Sequence, residues 1–131
     1  MINKVILLGR VGNRANMRIY EGGIRKAWFS LVTNEKYHTT KGEVKERTVW
    51  HTVVCWGGLA DFVYEKLKKG DLVYLEGKLS YYESKEKTYV EIIAIDLKLL
   101  SSPYKDFQKI TEPEDSSLGT SLDIPEEEIP F

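Results

Sequence analysis

RTVWHTVVCWGGLADFVYEKLKKGDLVYL, residues 47–75, is the stretch that decides the fold. Residues 47–56 are rich in β-branched and aromatic side chains and read as one extended strand. After Gly57 and Gly58 the period changes. Leu59, Phe62, Val63 and Leu67 fall at i, i+3, i+4 and i+8, a single apolar stripe on a short helix. Lys66, Lys68 and Lys69 stand in its last turns, where cations complement the helix dipole, and Gly70 suits the left-handed position that ends a helix. At Asp71 the period returns to that of a strand.

Outward from this core the chain reads as strands. Residues 5–8 are apolar and are ended by Gly9 and Gly12, and a short strand around residues 17–20 meets the turn signal Gly22–Gly23. Residues 26–33 form the next strand. A polar stretch over residues 34–45 follows, with Gly42 as its turn. Residues 71–82 and 87–100 are two further strands, joined through the polar link 83–86 as a hairpin. The main strands number five, with one helix between the third and fourth. That is an all-β order, the order of the OB-fold, a small Greek-key barrel that binds oligonucleotides and oligosaccharides.

Charge divides the chain. Residues 1–102 carry 17 Lys/Arg against 12 Asp/Glu, a net of +5, whereas residues 103–131 carry 2 against 8, a net of −6. A basic domain followed by an acidic tail suits a polyanionic ligand. Beyond Pro103 the composition shifts to Ser, Pro, Glu and Asp without a sustained period, which predicts a flexible, disordered acidic linker. Cys55 is the single cysteine, so an intrachain disulfide is excluded, and His38 and His51 are too few to complete a Cys-rich zinc site with it. No apolar run approaches the roughly 20 residues of a membrane span. No signal peptide is read at the start, and the expected location is the cytoplasm, around the nucleoid.

Alternation puts Thr48, Trp50, Thr52, Val54 and Trp56 on one face of their strand and Val49, His51, Val53 and Cys55 on the other. The second set is core-like, with His51 as a structural residue. The first carries two indoles about 20 Å apart with threonine between them, a wetted surface. Exposed rings on a basic surface suit the stacking of unpaired bases, which depends little on sequence. Tyr37, and Tyr81 or Tyr82 at the last hairpin, add rings. Lys36, Lys41, Lys45 and Arg47 add cations, with Lys85 and Lys87 beside the hairpin. The alternative is that these rings belong to a core or a subunit interface, and Trp28, alternating with Ser30, is assigned to that class.

In this order, NKVILLGRVG (3–12), FSLVTNEKY (29–37), VWHTVVCWGGLAD (49–61), LKKGDLVYLEGKL (67–79) and the final EEEIPF resemble the bacterial single-stranded DNA-binding protein family. The resemblance implies that residues 1–102 are an OB-fold domain that coats single-stranded DNA. It implies base stacking by Tyr37, Trp50 and Trp56, with Tyr82 or Tyr81 as a further ring. Lys69 takes a basic position, and His51 stands near a subunit contact. Lys36, Lys41, Lys45 and Arg47, with Arg10 and Arg25, complete the phosphate-neutralising set. The family is usually a homotetramer and takes no cofactor. Residues 103–123 become a linker, and residues 124–131 a peptide that docks enzymes of replication, recombination and repair. In that peptide Phe131 is the anchor, Ile129 and Pro130 shape the end, and Glu126, Glu127 and Glu128 face a basic partner surface.

Two other readings need excluding. A metal-dependent nuclease needs convergent carboxylates, yet the domain's acids are scattered, and Glu91 and Asp96, an odd number of residues apart, should fall on opposite faces of their strand. No catalytic residue or metal ligand is therefore expected. A primosome-type adaptor with a mainly protein-binding role would lack either the rings or the phenylalanine tail, and this chain has both.

Overall fold

The computed structural model describes residues 1–103. Residues 104–131, which hold nearly all of the expected linker and the whole docking peptide, lie outside the described residues.

The elements run β1 (Val5–Val11), β2 (Asn16–Ile19), β3 (Arg25–His38), β4 (Val44–Trp56), α1 (Gly58–Lys66), β5 (Leu72–Ser84) and β6 (Lys87–Ser101). The sheet order is β1-β5-β6-β4-β3-β2, and an added β1–β3 pairing closes five of the strands into a barrel. Among these five, the helix lies between the third and the fourth, as the sequence implies. The short β2 pairs only with β3.

Closure depends on β1 changing partners. Val5 through Arg10 pair with β5, while Arg10 and Val11 pair with Val32 and Leu31 of β3. At the switch, a Cβ on Gly9 would lie 2.4 Å from the Val32 carbonyl oxygen, so only glycine lets the two backbones approach.

Alternation fills the barrel. Ala27, Phe29 and Leu31 of β3 meet Cys55, Val53 and His51 of β4 in register, and Phe29, Leu31, Val53 and Cys55 are fully buried. Val11, Val73 and Leu75 complete the core from β1 and β5. Burial pushes the Cys55 thiol up to about 12, so it stays protonated at neutral pH. His51, at the upper rim, shares a 2.9 Å hydrogen bond between its Nε2 and Thr33 Oγ1, and burial lowers its pKa below the usual histidine value.

The helix caps one end of the barrel with Ala60 and Val63, and Leu67 follows them inward. This face is rotated from the expected stripe: Phe62 is exposed and Leu59 only partly buried. Small Ala60 permits the closest approach to the sheet, and hydropathy alone does not weigh that. Helix α1 ends at Lys66, with Leu67 already extended. Gly70, at φ 94°, serves the turn in which Asp71 N–H donates to the Lys68 carbonyl, not the helix end itself. The buried Asp71 carboxylate in return accepts from Lys68 N–H at 2.9 Å.

The largest departure from the sequence reading lies between β3 and β4. The polar stretch expected as a loop is a projecting hairpin, paired continuously from Lys26/Trp56 to His38/Val44. Its turn closes where Gly42, at φ 81°, donates to the Thr39 carbonyl. A second ribbon, β5–β6, pairs to Ser84/Lys87 and turns on Lys85 and Glu86, both at positive φ as a two-residue hairpin turn demands.

Candidate nucleic-acid interface

The outward face of the sheet is organised by cross-strand register. Trp56 stands beside Lys26, Val54 beside Trp28, Thr52 beside Ser30, and Trp50 beside Val32. Trp50 and Trp56 are 47% and 43% exposed, so both indoles reach solvent. The Trp50 ring lies over Gly12: a Cβ there would come 2.6 Å from Trp50 Cζ3. Glycine therefore sets the height at which the indole rests on the end of β1.

Around Trp56 the rings and cations interleave. Tyr20 lies 6.1 Å from it between ring centroids. Lys26 Nζ sits 5.5 Å from the Trp56 centroid and 5.7 Å from that of Trp28, and the Arg18 guanidinium is 5.1 Å from the Tyr20 ring. Such cation–π contacts hold long basic side chains over the rings. The surface thus presents aromatic faces and phosphate-seeking charges within one patch.

Tyr82 joins this face from the other ribbon. It pairs with Tyr89 in register and stacks on it at 5.1 Å with an interplanar angle of 18°. Tyr82 and Trp28 line opposite sides of one groove. Tyr81 alternates away from that groove, on the other face of the ribbon, so of the two candidate tyrosines the structure puts Tyr82 with the aromatic surface.

The remaining expected residues are distributed more widely. Lys36 shares the parity of Trp50. Tyr37, Lys45 and Arg47 occupy the reverse face of the β3–β4 ribbon, because Tyr37 pairs with Lys45 and Glu35 with Arg47. Tyr37 is 42% exposed, and the Arg47 guanidinium lies 5.7 Å from its ring while bonding Glu35 at 3.0 Å. Lys41 is in the exposed turn. Lys69 borders a cavity with Arg14, Tyr64 and Lys68 beyond the helix. Arg10 donates to the Gly70 carbonyl at 3.1 Å. Arg25 is engaged by Asp61 at 2.6 Å and holds β3 to the first turn of α1, which raises its pKa through the hydrogen bond and charge of that carboxylate.

Trp28, assigned to a core or interface from the sequence, faces the groove instead, and Tyr20, Lys26, Arg18 and Tyr89 were not singled out. For Trp28 the signal was present: Ala27, Phe29 and Leu31 already make a clean apolar face, so residues 26, 28 and 30 must point outward. Tyr20 and Arg18 gave no such signal, since a four-residue strand is too short to show a period.

Glu91 and Asp96 both face outward, against the expectation of opposite faces. The register shift on β6, which pairs Gly77 with Ala94 but Glu76 with Asp96, inserts Ile95 as an extra residue and resets the alternation. The change does not assemble an ion site: among the described residues no group of three His, Cys, Asp or Glu side chains could hold a metal ion. No helix in the described region is long and apolar enough to cross a membrane.

Comparison with known proteins agrees with this geometry. The single-strand binding protein family matches residues 2–100. Single-stranded DNA-binding protein 1 of Chlorobaculum tepidum is 39% identical over 107 residues, covering 77% of this chain and 66% of that protein. The mitochondrial single-stranded DNA-binding protein of Danio rerio is 39% identical over 117 residues, covering 80% of each. In Neisseria meningitidis the similar single-stranded DNA-binding protein is matched over 60% of its length, so the chain spans less than two thirds of some bacterial relatives. Among solved structures, a Plasmodium falciparum SSB complex with ssDNA superposes with a TM-score of 0.71 at 34% identity, covering 77% of this chain and 96% of that one. The Thermus aquaticus single-stranded DNA binding protein, as a deletion mutant, gives 0.70 at 28% identity, over 77% and 51% of the two chains. With the barrel, the helix and the aromatic outer face all in place, the chain belongs to the single-strand binding protein family.

Proposed function

We propose that this protein binds single-stranded DNA with little sequence dependence and performs no chemistry on it. The observation that carries the reading is the pair of half-exposed indoles, Trp50 and Trp56, on a sheet face interleaved with Lys26 and Arg18. Rings cover base faces and cations follow the phosphates. A duplex hides the faces these rings need, so it binds far more weakly. Tyr37, Lys45 and Arg47, on the back of the projecting ribbon, suit a strand that wraps around that ribbon, with Lys36 and Lys41 along its edge. Lys69, with Arg10 beside Gly70, continues the path past the helix. Arg25 contributes charge while it holds Asp61.

A homotetramer fits the exposed Ile6 and Leu8 on β1, whose outer edge is unpaired until Arg10 among the described residues. Titration with oligo-dT strands of increasing length, followed by tryptophan fluorescence, tests these readings together. Strong quenching with a length threshold is expected, and a long strand should saturate four protomers. Log K should fall with log salt by about 0.7 per phosphate neutralised. Absence of quenching at low salt would sink the DNA reading and favour the adaptor role. One strand saturating a single protomer at every length would sink the tetramer.

Residues 124–131 are proposed to recruit enzymes of replication, recombination and repair. Phe131 is the anchor, Ile129 and Pro130 shape the end, and Glu126, Glu127 and Glu128 provide steering. Their deletion should abolish co-purification with such enzymes while leaving DNA affinity unchanged or tighter at low salt. A loss of DNA affinity of about tenfold would contradict a purely partner-directed tail.

A further inference from the structure

A cavity of about 610 Å³ lies between α1 and the end of β6, and none of its walls belongs to the aromatic face. Phe62 and Lys66 line it from the helix, and Leu97, Lys98, Leu99 and Leu100 from the strand. Phe62 and Leu100 are 36% and 52% exposed, so the groove is apolar yet open to solvent. The chain leaves the barrel beside it. Ser101 ends β6, Ser102 is buried, and Pro103 is the first residue of a helical turn. Serine before a helix and proline at its first position are the residues that favour such an opening. A Cβ on Gly70 would come 3.6 Å from Pro103 Cγ, so the exit lies against the turn that follows α1.

The next residues are YKDFQKI, 104–110, and Pro113 follows them. At helical spacing Tyr104, Phe107 and Ile110 span an arc of about 120°, with Lys105, Asp106 and Lys109 on the opposite side. Two turns of helix are about 12 Å long, and residues 97–100 of β6 extend over about 10 Å. So short a helix is not stable by itself. An apolar groove of matching length, next to the point where the segment starts, supplies the contacts it lacks.

We propose that the groove between α1 and β6 is the docking site of the chain's own residues 104–110, with Phe107 seated against Leu97, Leu99 and Leu100 and flanked by Tyr104 and Ile110. This segment is joined to the groove almost directly, whereas residues 124–131 lie roughly twenty residues further along and reach it at a lower effective concentration. The proposal stands apart from the DNA reading and changes the geometry of recruitment. The tether to the docking peptide shortens from residues 103–123 to residues 111–123, an r.m.s. reach of about 20 Å.

The test uses the full chain. Nuclear Overhauser contacts should link the Phe107 ring to methyl groups of Leu97, Leu99 or Leu100. Phe107→Ser and Leu100→Ser should each lower the melting temperature by about 4–8 °C. The double variant should fall little further than the larger single shift, because the two side chains share one contact. Leu118→Ser, in the remaining tether, should leave the melting temperature unchanged. Additive losses, or no loss on Phe107→Ser, would place the segment elsewhere and overturn the proposal. Contacts from Phe131 in place of Phe107 would give the groove to the docking peptide, and contacts seen only between differently labelled chains would give it to a second copy. Either result also overturns it.

Discussion

Replacing Trp50 and Trp56 together by alanine is expected to weaken binding to oligo-dT by about 2–6 kcal/mol, since each base–ring stack contributes about 1–3 kcal/mol. The two positions are about 20 Å apart along β4, so their effects should add. Roughly thirtyfold is the smallest loss consistent with that sum. Neither ring fills the core, because both are nearly half exposed. The melting temperature of the double variant should therefore stay close to that of the wild type, which separates lost stacking from lost fold. Phenylalanine at both positions should restore much of the affinity, as it keeps an aromatic face. Anisotropy of a labelled strand is the suitable measurement, because the substitutions remove the fluorophores. An affinity within threefold of the wild type would mean that the strand runs elsewhere.

Phe29→Ala should produce the largest loss of stability. Phe29 is 1% exposed, faces Val53 across the sheet and is the largest fully buried side chain. Truncation of such a residue costs about 3–5 kcal/mol in transfer and cavity terms, against a total of about 5–15 kcal/mol for a domain. At about 4 °C or more per kcal/mol, the melting temperature should fall by more than about 12 °C. Phe62→Ala is the control, because Phe62 is 36% exposed and lies outside the buried core cluster, so its truncation leaves that cluster intact. Comparable melting temperatures for the two variants would show that the core is not centred where burial places it.

Much of the site could be read from residue types and parity. The β4 alternation assigned Trp50 and Trp56 to one side because a strand with a single buried face must keep strict order. The same rule would have placed Trp28 outward, had Ala27, Phe29 and Leu31 been given first claim on the core. Parity failed at Asp96, because the extra residue at Ile95 carries no mark in the sequence and shifts everything after it. The projecting ribbon was also illegible. Residues 34–45 are polar on both faces, and a hairpin with water on both sides has no apolar period. What holds it is register and local bonding, such as Thr48 Oγ1 donating to Asn34 Oδ1 at 3.1 Å.

The sequence by itself determined the order of elements, the single core, the aromatic and basic character of the surface, the turn at Gly42 and a hairpin link within residues 83–86. These follow from periodicity and from the backbone freedom that turns require, both of which are local. Tertiary structure alone decided that Tyr20, Trp28 and Tyr82 line one groove, that Tyr37 and Arg47 stand on the reverse of the ribbon, and that Glu91 lines the same groove. Those placements depend on which strands become neighbours when β1 switches partners and closes the barrel, and pairing between distant segments leaves no trace in the spacing of either one.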